Sequence, residues 1–256
     1  MSRRLDGVLA SHLSAARMDT YRRCTASEAA AVELYRWNTI ASGAVFETLA
    51  LVEVVLRNAV DRELQTWNAA QPSSQGTTYT AEWLMTPARP LWGLLNRRAR
   101  GGSLRTTYGS AFDRAKKDSD LREPGHARHG ATITHDDVLA HVMFGTWPAL
   151  LPDPKHANAT TPDQRRTFNS QKVLWNQALC RAFPGQGSGM TVRVWVDRLH
   201  GLRNRVAHHE PLILTDLLAY HRVAARLVRA IDPDLGSWVA GISRVPEVVR
   251  SKPALI

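Results

Sequence analysis

Residues 198 to 211, Arg-Leu-His-Gly-Leu-Arg-Asn-Arg-Val-Ala-His-His-Glu-Pro, decide how the chain is read. They continue an amphipathic run (Val192, Val194, Trp195, Val196, Leu199, Leu202) whose apolar positions recur at helical spacing. Two arginines, an asparagine, two histidines and a glutamate then fall within eight positions, Arg203 to Glu210. At about 100° per residue, Asn204 and His208 share one helix face, and Arg205 and His209 share another. Arg203 lies roughly 140° round from His208, yet its long side chain can swing to the same groove. Pro211 marks where this polar tip gives way to a new segment. Nowhere does the chain alternate convincingly as a strand does, so the expected fold class is all-α.

These side chains suit cleavage of a phosphodiester. Histidine titrates near neutral pH and can take or give a proton at an oxygen. Arginine stays charged and holds phosphate oxygens with two parallel N–H donors, offsetting charge that builds in the transition state. Asparagine can fix the imidazole tautomer or bind the phosphate. RNA carries its own nucleophile, the 2′-hydroxyl, so neither a metal nor a protein nucleophile is required. The competing reading makes His208 a capping histidine at a helix end and Arg203 half of a surface ion pair.

Arg203-Asn204, three intervening residues and His208 resemble the Arg-x4-6-His motif of the HEPN superfamily of metal-independent ribonucleases. The run from Leu202 to Pro211 is similar to the signature of its Abi-like (abortive infection) branch. Two further stretches resemble that branch: Tyr35-Arg-Trp-Asn38 leading to Leu-Val-Glu-Val-Val-Leu-Arg-Asn58, and Val-Met-Phe-Gly-Thr-Trp147. The resemblance implies a HEPN-like helical bundle with long helices, no cofactor and no metal. It also implies a homodimer whose motif helices meet across a two-fold axis, so that two Arg/His sets share one cleft. Arg203, Asn204 and His208 are then catalytic. His208 of one protomer acts on the 2′-hydroxyl, and the second His208 or Arg203 serves the leaving oxygen. The implied protein is an endoribonuclease toxin of a phage-defence or toxin–antitoxin system, with an antitoxin or a phage-derived trigger as possible partner. The alternative is a non-catalytic RNA-binding module.

The 256 residues suffice for one large domain, here taken as a single unit over residues 1–256 with a basic insertion at about 71–134. An apolar share of 44% with 22% charged residues fits a soluble globular chain, and no run of about 18 uncharged apolar residues suggests a membrane span. No apolar signal region follows the N-terminal Met-Ser-Arg-Arg-Leu-Asp, so a cytoplasmic location is expected. Cys24 and Cys180 form no disulfide framework or ligand set. Thirty-three Lys+Arg against 23 Asp+Glu give a net charge of +10, nearly all of it arginine. Such a surface favours phosphate-bearing partners, although a GC-rich genome also inflates arginine and alanine.

Helices are expected at 7–20, 29–69, 91–97, 104–118, 135–151, 163–183, 191–231 (the motif helix and its successor) and 235–242, the last followed by a frayed tail. Thr25 or Ser27 caps the second of these, with Glu28 in the capping-box position after Thr25. Its stripe includes Ile40, Val45, Leu49, Val52, Leu56 and Val60. Glu53, Arg57 and Asp61 lie on one face of it. They form either a solvated ion pair or, for Glu53, Arg57 and Asn58, a lining for the cleft of Arg203 and His208. Arg205 and His209 point off the Asn204–His208 line and are assigned to phosphate contact or a partner surface. The arginine-rich section 97–134 could hold RNA phosphates. His126, His129 and His135 lack neighbouring cysteines and make a poor zinc set.

Overall fold

The computed structural model describes residues 8–9, 11–74, 76–98 and 104–256. The fold is all-α. Its principal helices among the described residues are α1 (Ala15–Arg22), α2 (Glu28–Ala69), α3 (Leu91–Leu95), α4 (Thr107–Asp120), α5 (His135–Ala140), α6 (Thr146–Leu150), α7 (Pro162–Gln177), α8 (Gly189–Ala207), α9 (Leu217–Ile231), α10 (Pro233–Ile242) and α11 (Val245–Arg250). Among the described residues the only strands are β1 (Asn96–Arg98) and β2 (Leu104–Thr106), an antiparallel pair in the register Asn96↔Thr106. This ribbon replaces the last turn expected of the 91–97 helix and the first of the 104–118 helix. Three residues a side are too few for an alternation signal. The N-terminal residues 1–7, Ala10 in the first expected helix, and Arg100 of the basic section lie outside the described residues.

The chain forms two compact units. The first comprises the residues up to Val54, Arg198–Arg229 and Pro233–Ile256; the second comprises Val55–Asp197 and Ala230–Asp232. Both α2 and α8 run through both.

In the first unit, Ser27 caps α2: its Oγ accepts from Ala30 N–H (3.2 Å) and its carbonyl from Ala31 N–H (2.9 Å). Glu28 takes no part in a capping box and instead receives both prongs of the Arg22 guanidinium at 2.8 Å each. That pairing holds its carboxyl below the usual range. The core stripe is Leu34, Trp37, Ala41, Val45, Leu49 and Val52; Ile40, expected inside, is half exposed because Ala41 and Ala44 carry the buried face there. Leu199, Leu202, Leu217, Ala224 and Val245 meet Val45 and Leu49 around one small void, so α2, α8, α9 and α11 share a core. The C-terminal tail is tied down rather than frayed. Trp37 Nε1 donates to Val248 O (2.8 Å), Lys252 Nζ to Ile213 O, and Ile256 N–H to Cys24 O (3.1 Å).

In the second unit, Thr134 opens α5 with a capping box: its side chain accepts from Asp137 N–H while the Asp137 side chain accepts from Thr134 N–H. Burial pushes the Asp137 carboxyl up, but the Thr134 bonds and the Arg128 and Arg122 cations bring it below its usual range. Val138, Leu139, Val142, Phe144, Trp147 and Leu150 are buried, whereas Met143 is exposed. The 163–183 helix ends early: α7 stops at Gln177 and a 3-10 turn, Leu179–Ala182, brings Phe183 onto Trp175 (centroids 5.7 Å apart, stacked). Of the basic section, Arg114 donates to His141 O, Arg122 pairs with Asp118 and Asp137, and Arg128 pairs with Asp137. These arginines stitch α4 to α5. Lys116 and Lys117 stand exposed on α4.

Candidate active site

Ser188 caps the N-terminus of α8, its Oγ accepting from Thr191 N–H at 3.3 Å, and Val192, Val196, Leu199, Leu202 and Val206 form its buried stripe. The stripe fixes which residues face outward. His200, Asn204 and His208 follow one another at intervals of four on the side away from it.

The C-terminal end has an identifiable stop. His209 adopts φ 54°, in the left-handed region, and its N–H donates to Val206 O (3.0 Å) while Glu210 N–H donates to Arg205 O (2.9 Å). This pair of bonds is a Schellman cap with a histidine where glycine is usual. His208 N–H still bonds Asn204 O at 2.9 Å, so His208 keeps the helical register and stays on the Asn204 face. Arg17 Nη1 holds the turn from outside, donating to His209 O at 3.1 Å.

Four arginines on α8 have different fates. Arg193 is nearly buried and donates to Pro148 O (2.6 Å), Asp153 (3.1 Å) and Asp197 (2.6 Å). Arg205 donates to Glu210 (3.2 Å), Thr215 Oγ1 (2.8 Å) and Pro211 O (2.6 Å), fastening the segment after the helix. Arg198 lies over the Tyr220 ring, 5.2 Å from its centroid. Arg203, half exposed, makes no hydrogen bond or ion pair among the described residues. Of the four, it alone has no hydrogen bond, ion pair or ring contact among the described residues.

His208 and His209 are exposed, and neither imidazole bonds to a described residue. Asn204 is engaged: its Nδ2 donates to His200 Nε2 at 3.1 Å, which leaves His200 protonated on Nδ1 when neutral. His200 escaped the sequence reading, although its spacing of four before Asn204 was the available signal. Glu53, half buried, belongs to the first unit with Arg203, Asn204 and His208; Arg57 and Asn58 belong to the second and touch each other weakly (3.4 Å). Asp61, on the same face of α2, is committed elsewhere. It accepts Trp83 Nε1 (2.7 Å), His135 Nε2 (2.8 Å) and Gln65 Nε2 (2.6 Å). His126 and His129 are bound to Arg128 N–H and Arg122 O, so with His135 on Asp61 the three histidines serve three separate contacts.

The arrangement thus offers an exposed imidazole in register with an amide, and an unpaired guanidinium on the same helix turn. That set can exchange a proton and hold an anion. The chain matches no protein-family model, no curated protein and no solved structure.

Proposed function

We propose that the chain is a metal-independent endoribonuclease of the Abi-like branch of the HEPN superfamily, acting as a cytoplasmic homodimer in a phage-defence or toxin–antitoxin system. The observation that carries this reading is the contrast among the α8 arginines. Arg193 and Arg205 are spent on hydrogen bonds and ion pairs and Arg198 lies over a ring, while Arg203, five residues before exposed His208, has none of these contacts among the described residues. A folded protein gains by pairing such a cation, so one left bare at a polar helix end suits an anionic ligand.

In the proposed reaction, His208 removes the proton of a ribose 2′-hydroxyl and the oxygen attacks the adjacent phosphorus. Arg203 holds the non-bridging oxygens as charge builds on them. The bond to the 5′-oxygen breaks, and His208 of the partner protomer gives that oxygen a proton. The products are a 2′,3′-cyclic phosphate and a 5′-hydroxyl. Asn204, bonded to His200, keeps this side of the turn ordered. An antitoxin or a phage-derived trigger would control when the cleft is open to RNA.

Induced expression of wild type, His208→Ala and Arg203→Ala tests the reading. Growth arrest with new cyclic-phosphate RNA ends from wild type alone, all three being soluble, supports it. Equal toxicity and cleavage from the variants removes the assigned site. Binding of RNA by all three without cleavage by any leaves the binding-module alternative.

A further inference from the structure

A cavity in the second unit lies far along the chain from the α8 motif. It encloses about 590 Å³, within the range of small-molecule and cofactor sites. Tyr79, Trp92 and Tyr108 line it together with Arg89, Asn96 and Gln71, and none of its lining residues is a carboxylate. Trp92, the largest of these rings, is 38% exposed, and the Arg89 guanidinium sits 5.6 Å from its centroid with no carboxylate partner.

The walls are fixed before any ligand arrives. Asn68, at 0% exposure, uses its whole amide on the 80–88 segment. Its Nδ2 donates to Thr80 O (2.7 Å) and Thr86 O (3.0 Å), and its Oδ1 accepts from Ala88 N–H (2.8 Å). Thr107 Oγ1 donates to Leu95 O (2.8 Å), tying the start of α4 to the end of α3. Gln71 Nε2 is held by Trp67 O (2.8 Å), which leaves the Gln71 amide oxygen as a free acceptor. A rigid cleft with partly exposed rings, one arginine without a carboxylate partner and amide groups has a definite chemistry. The rings offer stacking surfaces, the arginine answers a negative charge, and the amides pair with the edge of a heterocycle.

We infer that this cavity binds a nucleobase carrying a phosphate, either as a free nucleotide or as an unpaired base of a single-stranded nucleic acid. The base stacks on Trp92, and its phosphate lies against Arg89. The site is independent of the cleavage reading, since it involves no residue of α8.

Binding to the full-length His208→Ala chain tests this without cutting the ligand, so a failure of the nuclease reading does not touch it. The probes are a fluorescein-labelled twelve-nucleotide oligoadenylate RNA, a blunt duplex of equal length, and AMP. Trp92→Ala is expected to weaken single-strand binding about 5- to 150-fold, the range for loss of one stacked base. Arg89→Ala is expected to weaken it about tenfold, and Trp92→Phe to stay within about threefold of the parent. Both side chains are surface groups, and thermal melting checks each variant's fold; should Trp92→Ala fail to fold, Arg89→Ala and Trp92→Phe still decide. Loss of RNA binding alone identifies a single-strand site, and loss of AMP binding identifies a nucleotide site. The inference is overturned if the folded variants bind RNA and AMP as the parent does, if the duplex competes equally with the single strand, or if the parent binds neither RNA nor AMP.

Discussion

Replacing Asp61 with alanine is expected to be among the most damaging single changes in the second unit. Its carboxylate accepts from Trp83, His135 and Gln65, three donors brought in by three different segments. Trp83 is fully buried, and the His135 side chain is only 11% exposed. With the acceptor gone, the indole N–H has no water to turn to, and a buried unsatisfied donor costs about 1–3 kcal/mol. The imidazole N–H adds a similar amount, whereas half-buried Gln65 can rotate to solvent. The sum, about 2–6 kcal/mol, brackets the roughly 3–5 kcal/mol cost of breaking a buried pair. For a chain of this size each kcal/mol lowers Tm by about 2–4 °C, so a fall of roughly 4–24 °C is expected. Asp61→Asn keeps an acceptor oxygen and is expected to cost about half as much.

The pH dependence has a definite sign. Burial raises the Asp61 carboxyl, but hydrogen bonds from His135 and Trp83, the His135 charge and the Gln65 bond more than offset it, leaving the pKa below the usual range. A carboxyl depressed on folding contributes stability that is fully present above its unfolded value near 4 and is lost as pH falls through the folded value. Circular dichroism melts from pH 7 to pH 3 should show wild type losing stability below about pH 4, with a shallower acid limb in Asp61→Asn. If Asp61→Ala melts within about 1 °C of wild type at pH 7, the network carries none of the energy assigned to it.

Other perturbations separate structural from chemical roles. His209→Gly is expected to stabilise the chain by about 0.5–1 kcal/mol, because φ 54° strains a side chain that glycine lacks; denaturant unfolding measures it, and destabilisation refutes the cap. Gly236→Ala is expected to cost about 1–3 kcal/mol, since its Cβ would stand 2.6 Å from Arg229 Cα. Gly241→Ala in the same helix meets nothing within 4 Å and should be neutral or stabilising by up to about 1 kcal/mol; equal effects from the two would contradict the close approach at Gly236. Arg205→Ala is expected to lower Tm through loss of its bonds to Pro211 and Thr215, detected by the same melts, and an unchanged Tm would remove its fastening role.

What the sequence displays is mostly what neighbours within one helix decide. The stripe from Val45 to Val60, the Thr134 capping box and the Asn204–His208 register depend on spacings of three and four, and the structure has them. Glu28 was misread because its partner, Arg22, lies across a turn from it. The Asp61 network joins residues 22 and 74 positions away, a relation that periodicity does not encode. The β1–β2 ribbon and the α11 tail were missed for lack of length: three and six residues give no period. In the candidate site, the positions of Arg203, Asn204 and His208 were legible. The division of labour among the arginines was not, because which cation is spent depends on carbonyls and carboxylates in other segments.

The most direct measurement is cleavage of a defined RNA by the purified chain in excess EDTA, with the ends mapped chemically. The account predicts fragments ending in 2′,3′-cyclic phosphate and 5′-hydroxyl. It also predicts that rates fall at least about 100-fold in folded His208→Ala and Arg203→Ala. Cleavage that survives both substitutions, or that stops when divalent metal is removed, would contradict it.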